Sequence, residues 1–571
     1  MLLSSALTSP SELSCYLLFV SVLSACVYVR KNTKHEVPTL QRIPWHRLSQ
    51  RQKALLPLNF SESWPVYKFL DEPTALGEFD WGIHDEIVIW RENGTFIFIY
   101  KDYDKAYAKR RVFVILENVQ GYNLHYMVYG EREAAIAETI TFFGSLKHEA
   151  SPQTVLRFHR CNHCSLSLDL SSLLPEQLAQ MLDSNPTRCI DLEADFSAKQ
   201  SEILATRPYP LDLLLMKGEH TFLDGGTAFV EALELRKSPF GKLIVSETSN
   251  GGMLSISNLE RLLKLEYVFQ TLDLSIRNTV CALLPFNAKV KTLYYRVHQA
   301  NDVHPESFDS LNIPAIDITP IFVFEWSFAW HTRIISFLNR VAVLGHFERL
   351  CIGVDYGSQN RERFLFDEVA SVADALTAAL RANQRLSCLE LHQTRTCLLW
   401  GPHLRGIFEC AEEHPSLREI RVQSFKLRDG SDGAEDENRV FSRRYYFDRS
   451  WLKRLLSRNR KIVVLNEFGE RCSDGSTIDQ LYALNDVYNG SANLVKEATD
   501  LRPLLVTKAF TERASNNFQY TALLLSQHTD VLCELVQGVD QEDGAPRRSN
   551  RLLRSKRKTE DSSRARKKSR K

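Results

Sequence analysis

The 571-residue chain has no glycine-rich phosphate loop, no Gly-x-Ser-x-Gly elbow and no His-Glu-x-x-His pair. Each absence removes a class of chemistry that needs those residues at that spacing. The pairs Gly225-Gly226 and Gly251-Gly252 lack the flanking glycines and lysine that cradle phosphate. The acidic stretch Asp429 to Glu437 lacks the alternating carboxylates of a calcium loop, so it reads as a solvated loop. His159, Cys161, His163 and Cys164 pack four potential zinc ligands into six residues, but no second Cys-x-x-Cys pair completes a tetrahedral site. No metal, no cofactor and no catalytic residue is therefore assigned, and the chain reads as a non-enzyme. Twelve cysteines and sixteen histidines will pair by chance in a chain this long, and no local signature marks a nucleophile with its base.

The cysteines also lack the spacing of a disulfide framework, and several sit in apolar runs, as Cys189 and Cys388 do. That usage fits a body in a reducing, intracellular compartment. Leu13 to Val29 is an apolar run at the short edge of a membrane span. Arg30 and Lys31 follow it and no cation precedes it, an arrangement that leaves the body cytoplasmic if the run is an anchor. A secretory n-region is missing, and an incidental extension is the competing reading.

Charge is unevenly placed. Pro546 to Lys571 holds thirteen Lys/Arg against Glu560 and Asp561, a net of +11. The rest carries 58 basic and 68 acidic residues, a net of −10. Arg547, Arg548, Lys556, Arg557 and Lys558 form one cluster; Arg566, Lys567, Lys568, Arg570 and Lys571 form a second. This low-complexity segment cannot bury enough surface to fold. It reads as a nuclear-import signal, as a salt-sensitive contact for nucleic acid or anionic lipid, or as a solubilising tail.

Five regions follow from composition and periodicity: an N-terminal apolar segment and linker (1–40), a β-rich N-terminal unit or cap (41–150), a repeat region (151–470), a helical C-terminal cap (471–540) and a disordered basic tail (541–571). In the β-rich unit, Arg91-Glu92-Asn93-Gly94 between Glu86–Trp90 and Thr95–Tyr100 signals a hairpin. Val112–Leu116 and Leu124–Tyr129 add strands, and Glu131–Phe143 reads as a helix. Three glycosylation sequons, at Asn59, Asn93 and Asn489, would go unused in a cytosolic body; in a lumenal one, Asn93 on the hairpin tip would be the accessible one.

Through the repeat region, short apolar triplets recur at intervals of 21 to 44 residues. They begin at Leu166, Ile190, Leu211, Leu243, Leu272, Ile316, Leu350, Leu389, Ile420 and Val463, and the longest gap can hold a weak unit near Val290–Leu293. Such spacing is that of a strand-plus-helix repeat that stacks into a solenoid. Pro175–Leu182, Asp367–Leu380 and Trp451–Leu456 carry apolar residues at helical spacing, and Asn185, Asn383 and Asn459 follow them. Asparagine there fits a helix end in the left-handed conformation. Insertions are expected near Trp326–Trp330 and Asp429–Asn438.

Ala379-Leu-Arg-Ala-Asn383-Gln-Arg-Leu386-Ser-Cys-Leu389-Glu-Leu391 resembles the leucine-rich repeat of ribonuclease-inhibitor type, and Phe222 to Leu233 resembles its helix-opening part. Ile203–Leu211 and Asn517–Leu525 add a likeness to divergent leucine-rich-repeat-like proteins of diatoms and related algae. The resemblance implies an α/β fold, an irregular leucine-rich-repeat-like solenoid whose strands line a concave face that binds a protein ligand. The asparagine that usually follows the strand Leu-x-Leu is mostly absent.

On such a strand the residue between two apolar positions points away from the core. These residues are Asp191, Asp212, Asp273, Asp317, Glu390 and Arg421, and five of the six are acidic. They are the expected ligand-facing positions, for a partner with a basic surface. The alternative is a nuclear factor whose tail contacts nucleic acid while the repeats recruit a protein.

Overall fold

Burial decides the architecture: along strands such as Gly241–Ser246 and Thr292–Val297, alternate side chains are removed from water. The computed structural model describes residues 40–56, 65–75, 78, 86–100, 112–119, 122–147, 155–159, 172–192, 195–216, 222–246, 253–277, 281–324, 329–356, 366–391, 398, 400–423, 449–497, 502–510, 518–531 and 533. The chain is mixed α/β and divides into two compact units, Met1–Asp273 and Leu274–Lys571. The 13–29 run, the Asn59 sequon, the Leu166 triplet, the 429–438 insertion and the basic tail lie outside the described residues. Among the described residues no helix is long and apolar enough to cross a membrane.

The first unit opens with β1 (Leu40–Ile43), the short helix α1 (Gln50–Leu55) and β2 (Val66–Phe69). Then come β3 (Glu86–Arg91), β4 (Thr95–Tyr100), β5 (Val112–Val119), β6 (Tyr122–Gly130) and α2 (Glu133–Ser145). The predicted hairpin forms: β3 and β4 pair antiparallel from Glu86↔Tyr100 to Arg91↔Thr95, and Gly94 turns the chain at φ +92°. Such a left-handed position costs glycine nothing. β4 pairs with β6, β6 with β5, and β5 with β7 (Val155–His159), all antiparallel. The β-rich region is therefore not a separate layer, because β5 and β7 join it to the strands that follow.

From β7 the pairing turns parallel. β7 pairs with β8 (Cys189–Leu192), β8 with β9 (Leu211–Met216), and β9 with β10 (Gly241–Ser246). The helices α3 (Pro175–Ser184), α4 (Ala198–Thr206), α5 (Thr227–Leu235) and α6 (Ile256–Lys264) connect successive strands up to β11 (Phe269–Ile276). The strand that pairs with β8 is Val155–His159, some ten residues before the expected Leu166 triplet.

Asp224-Gly225-Gly226, too poor in glycine for a phosphate loop, is the entrance turn of α5. The Asp224 carboxylate accepts from Gly226 N (3.0 Å) and Ala228 N (2.8 Å), while Gly225 O accepts from Asn258 Nδ2 of the next unit (2.9 Å). Gly226 has φ +83°, a left-handed position that favours glycine, and a Cβ there would also displace the end of the Leu254 side chain.

The second unit runs β12 (Thr292–Val297), β13 (Asp317–Phe324), α7 (Trp330–Leu344), β14 (Arg349–Cys351), β15 (Gly353–Tyr356), α8 (Phe366–Ala382), β16 (Cys388–Glu390), α9 (Leu404–Ala411), β17 (Glu419–Arg421), α10 (Arg449–Arg458) and β18 (Val463–Leu465). The ladder is parallel throughout: β12 with β13, β13 with β14 and β15, β14 with β16, β16 with β17, β17 with β18. The weak unit near Val290–Leu293 is the strand β12. Of the expected insertion near Trp326–Trp330, residues 326–328 lie outside the described residues, and Trp330 is the buried first residue of α7.

Between β11 and β13 the connectors are single 3-10 turns, Leu284–Asn287, Ala300–Asp302 and Pro305–Phe308. Phe286 and Phe308 fill the space a helix would take, and both pack on Phe337 of α7 at ring distances of 5.5 and 6.0 Å. After β18 come α11 (Thr477–Glu497), α12 (Arg502–Ala509) and α13 (Phe518–Gln527). α11 runs unbroken through Asn489-Gly490-Ser491.

The asparagines after the helices do not work as expected. Asn185 has φ −142°, and the only non-glycine residues with positive φ among those described are Tyr267 and Gln299. The asparagine side chains instead cap carbonyls of the preceding unit. Buried Asn383 donates from Nδ2 to Val341 O (3.1 Å) and Ala379 O (2.8 Å) and accepts from Phe347 N (3.1 Å). Asn459 donates to Ala411 O (3.0 Å) and His414 O (3.2 Å), and His414 Nε2 reaches Asn383 O (3.1 Å). His414 Nδ1 accepts from Leu417 N (3.1 Å), which assigns the ring proton to Nε2. Arginine does the same job elsewhere: Arg188 donates to Gly144 O (2.8 Å) and Leu146 O (3.0 Å), and Arg236 to Ala205 O (2.6 Å) and Tyr209 O (2.7 Å). Helix ends leave carbonyls short of partners; side chains of the next repeat reach such carbonyls, Val341 O and Ala411 O in addition to their backbone donors, and so tie each repeat to the last.

Candidate functional site

The second unit carries a row of polar side chains on the sheet face opposite the helices. Leu293, Tyr295, Val297, Ile318, Phe322, Leu350, Leu389, Ile420 and Val464 are buried toward the helices. Period-two alternation sends their neighbours to the other face. The strand register aligns these neighbours in two rows. One runs Asp317, Arg349, Cys388, Glu419, Val463; the other runs Cys351, Glu390, Arg421, Leu465.

Within these rows the charges pair with one another. Arg349 Nη2 lies 3.0 Å from Glu390 Oε1, and Arg421 Nε donates to Glu419 Oε1. Asp317 accepts from Thr292 Oγ1 at 3.2 Å. On the longer strands Arg296 Nη1 pairs with Asp355 Oδ2 at 2.8 Å. All of these side chains are partly buried, so solvent screens the pairs less than at an open surface.

Cys388 sits among them, its Sγ 3.8 Å from Glu390 Oε1 and 3.7 Å from Glu419 Oε1. Burial pushes its thiol up to about 11, the two carboxylates push the same way and Arg349 opposes them. The thiolate is the nucleophile, so at neutral pH this thiol serves as a weak hydrogen-bond donor.

Ser275 Oγ and His298 Nε2 lie 2.7 Å apart at the edge of this face. Burial lowers His298 from 6.5 to about 4, Arg277 and Arg296 lower it further, and Asp355 opposes. A base so weak is poorly matched to proton abstraction near neutrality, and the pair reads as a hydrogen-bonded clasp. A folded-state value below the unfolded one favours the neutral ring in the fold. That stabilisation is complete above pH 6.5 and is lost as the pH falls through about 4. His298→Gln, which keeps a partner for Ser275, is therefore expected to flatten the acid limb. Urea midpoints of the wild type should fall more between pH 7 and pH 4 than those of the variant; equal falls would contradict the assignment.

The six positions expected to face a ligand fare differently. Glu390, Arg421 and Asp317 are half-buried on the open face, each with the partner described above. In the first unit Asp212 is exposed and Asp273 half-buried, while Asp191 is only 1% exposed. Asp191 therefore does not present its carboxylate to solvent, which corrects that expectation. The face of the second unit is not acidic either. The sequence reading sampled only the middle of each triplet, whereas the residue before the triplet shares its face and supplies Arg349 and Glu419. Lys242 likewise stands beside Asp212 in the β9–β10 register. Period two alone was a sufficient signal to find these residues.

Other expected features resolve as follows. His159 ends β7 and the remaining residues of that cluster lie outside the described residues, as do Asp429–Glu437. Among the described residues no group of three or more His, Cys, Asp or Glu could hold a metal ion. The Asn93 side chain is not a free tip: Nδ2 donates to Ala135 O (3.2 Å) and Thr139 Oγ1 (2.9 Å), and buried Thr95 donates to its Oδ1 (2.8 Å). Asn489 Nδ2 donates to Arg460 O at 2.8 Å. Both described sequons have their acceptor nitrogen engaged in the fold. Compared with models of known protein families and with curated proteins, the chain matches none.

Proposed function

We propose that this chain is a non-enzymatic protein-interaction scaffold, a leucine-rich-repeat-like solenoid whose strands line a concave face for a protein ligand. One observation carries the reading: the polar side chains on the open face are already ordered by pairing across strands. A ligand that meets pre-ordered groups spares the entropy of fixing them. The paired charges fit a partner of mixed charge on the β13–β18 side, and exposed Asp212 fits a basic contact on the other unit. The described cysteines are all free thiols, which supports a body in a reducing compartment.

Placing a photo-crosslinking amino acid at Ile321 or Leu465 on the open face, and at exposed Val343 or Leu235 on the helical side, tests this. The expected result in native cells is one discrete protein adduct from the first two positions and none from the second two. The adduct should vanish when Arg421→Glu is added. Equal labelling from both sides, or an adduct indifferent to Arg421→Glu, would overturn the reading.

A further inference from the structure

We propose that the turn between α10 and β18, with the α9–β17 turn and α11, forms a binding pocket for a phosphoryl anion. The site lies at the helix-to-strand turns, away from the open face, and does not rest on the scaffold reading. An open cavity of about 270 Å³ is lined there by Arg458, Arg460, Lys461, Glu413 and Tyr488, among others. That is below the roughly 300–1,000 Å³ of sites that enclose drug-sized ligands, so a ligand enters by one compact group.

Three cations within four residues ordinarily serve helix C-termini, whose carbonyls attract positive charge. Here that work is done by neutral side chains. Asn459 caps Ala411 O and His414 O, Asn485 caps Leu456 O at 2.9 Å, and Asn489 caps Arg460 O. Nor are the cations used in ion pairs: none of Arg458, Arg460 and Lys461 has one with a described residue. Glu412, which also lines the cavity, has its carboxylate taken by Arg454 at 2.7 Å. That leaves three cations without an ion pair among the described residues, against exposed Glu413.

Arg460 is half-buried with its guanidinium 4.7 Å from the Tyr488 ring centre. The ring holds the guanidinium plane in place while leaving its N–H fork unspent. A fixed fork backed by two further cations matches a phosphate, which offers several acceptor oxygens and up to two negative charges. A carboxylate would use the fork and leave two cations unmatched.

Calorimetric titration of the full chain at constant ionic strength tests the site. The probes are inorganic phosphate, a phosphoserine peptide and its unphosphorylated counterpart. Saturable binding of phosphate is expected, weakened about tenfold by Arg460→Ala, the loss of one charge-assisted contact. Arg458→Ala/Lys461→Ala, made at exposed side chains, should weaken it as well and keeps the test open if Arg460→Ala disturbs folding. Lys199→Ala on α4, away from the site, should change nothing. Tighter binding of the phosphopeptide than of phosphate would assign the anion to a modified protein; equal binding would assign it to free phosphate or a small ester. Equal affinity of the wild type and the arginine and lysine variants, binding of the unphosphorylated peptide as tight as its partner, or no saturable binding would each overturn the proposal.

Discussion

Phe337→Ala is expected to lower the unfolding free energy of the Leu274–Lys571 unit by about 4 kcal/mol, within the range for buried phenylalanine truncation. Phe337 is fully buried on α7, with rings of Phe286, Phe308 and Phe322 at 5.5, 6.0 and 5.3 Å. Two of those rings come from 3-10 turns, which have no helix to slide inward over a cavity. The site therefore collapses poorly, and poor collapse sets the cost near the upper end of such substitutions. Phe337→Leu keeps most of the volume and is expected to cost about 1.5 kcal/mol or less. Urea titration followed by hydrogen exchange of peptides from residues 281–345 gives both values. A loss near 1 kcal/mol for the alanine variant would mean that the aromatic cluster does not hold this stretch together.

The same stretch shows where the sequence was legible and where it was not. Every apolar triplet from Ile190 to Val463 falls on a strand or across its edge, because alternation against a helix-covered face leaves a local pattern. Pro175–Ser184, Phe366–Ala382 and Arg449–Arg458 were readable for the same reason at a period of 3.6. The strand in the 44-residue interval was legible near Val290–Leu293, but the 3-10 turns between β11 and β13 carry no such period and were not. Phe286 and Phe308 could be seen, but what they pack on lies up to 51 residues away. The open face was half legible. Its middle positions were found, but the pairing of Glu390 with Arg349, 41 residues earlier, depends on strand register, and its consequence is a neutral row where an acidic one was expected. Asp191 was misplaced for a related reason: alternation tells which way a side chain points and not what covers it.

Asn383→Ala is expected to cost about 3 kcal/mol, since three buried hydrogen bonds at roughly 1 kcal/mol each disappear, while Val341 O and Ala379 O keep only their backbone donors. Position and spacing identified this residue, but the assigned cause, a left-handed helix end, predicts a different outcome. Were backbone conformation the reason, glycine would serve best and aspartate would be nearly neutral. In the structure Nδ2 faces two carbonyl oxygens, Val341 O and Ala379 O, while Oδ1 faces the Phe347 N–H. Glycine then loses as much as alanine or more. Asn383→Asp keeps the acceptor for Phe347 but sets a buried carboxylate against two oxygens, so at pH 7 it should be at least as damaging as alanine. A carboxyl so placed has its folded-state pKa raised above the unfolded value near 3.9. The protonated form can donate one bond, so the aspartate variant should lose less stability relative to wild type at pH 4 than at pH 7. Asn185→Ala gives the scale, because its half-buried amide makes one carbonyl bond, to Leu146 O at 3.0 Å, and should cost about 1 kcal/mol. Urea midpoints of the four variants at the two pH values decide the matter. Aspartate equal to asparagine, or glycine better than alanine, would restore the backbone explanation; the opposite order makes the side-chain cap the joint between successive units.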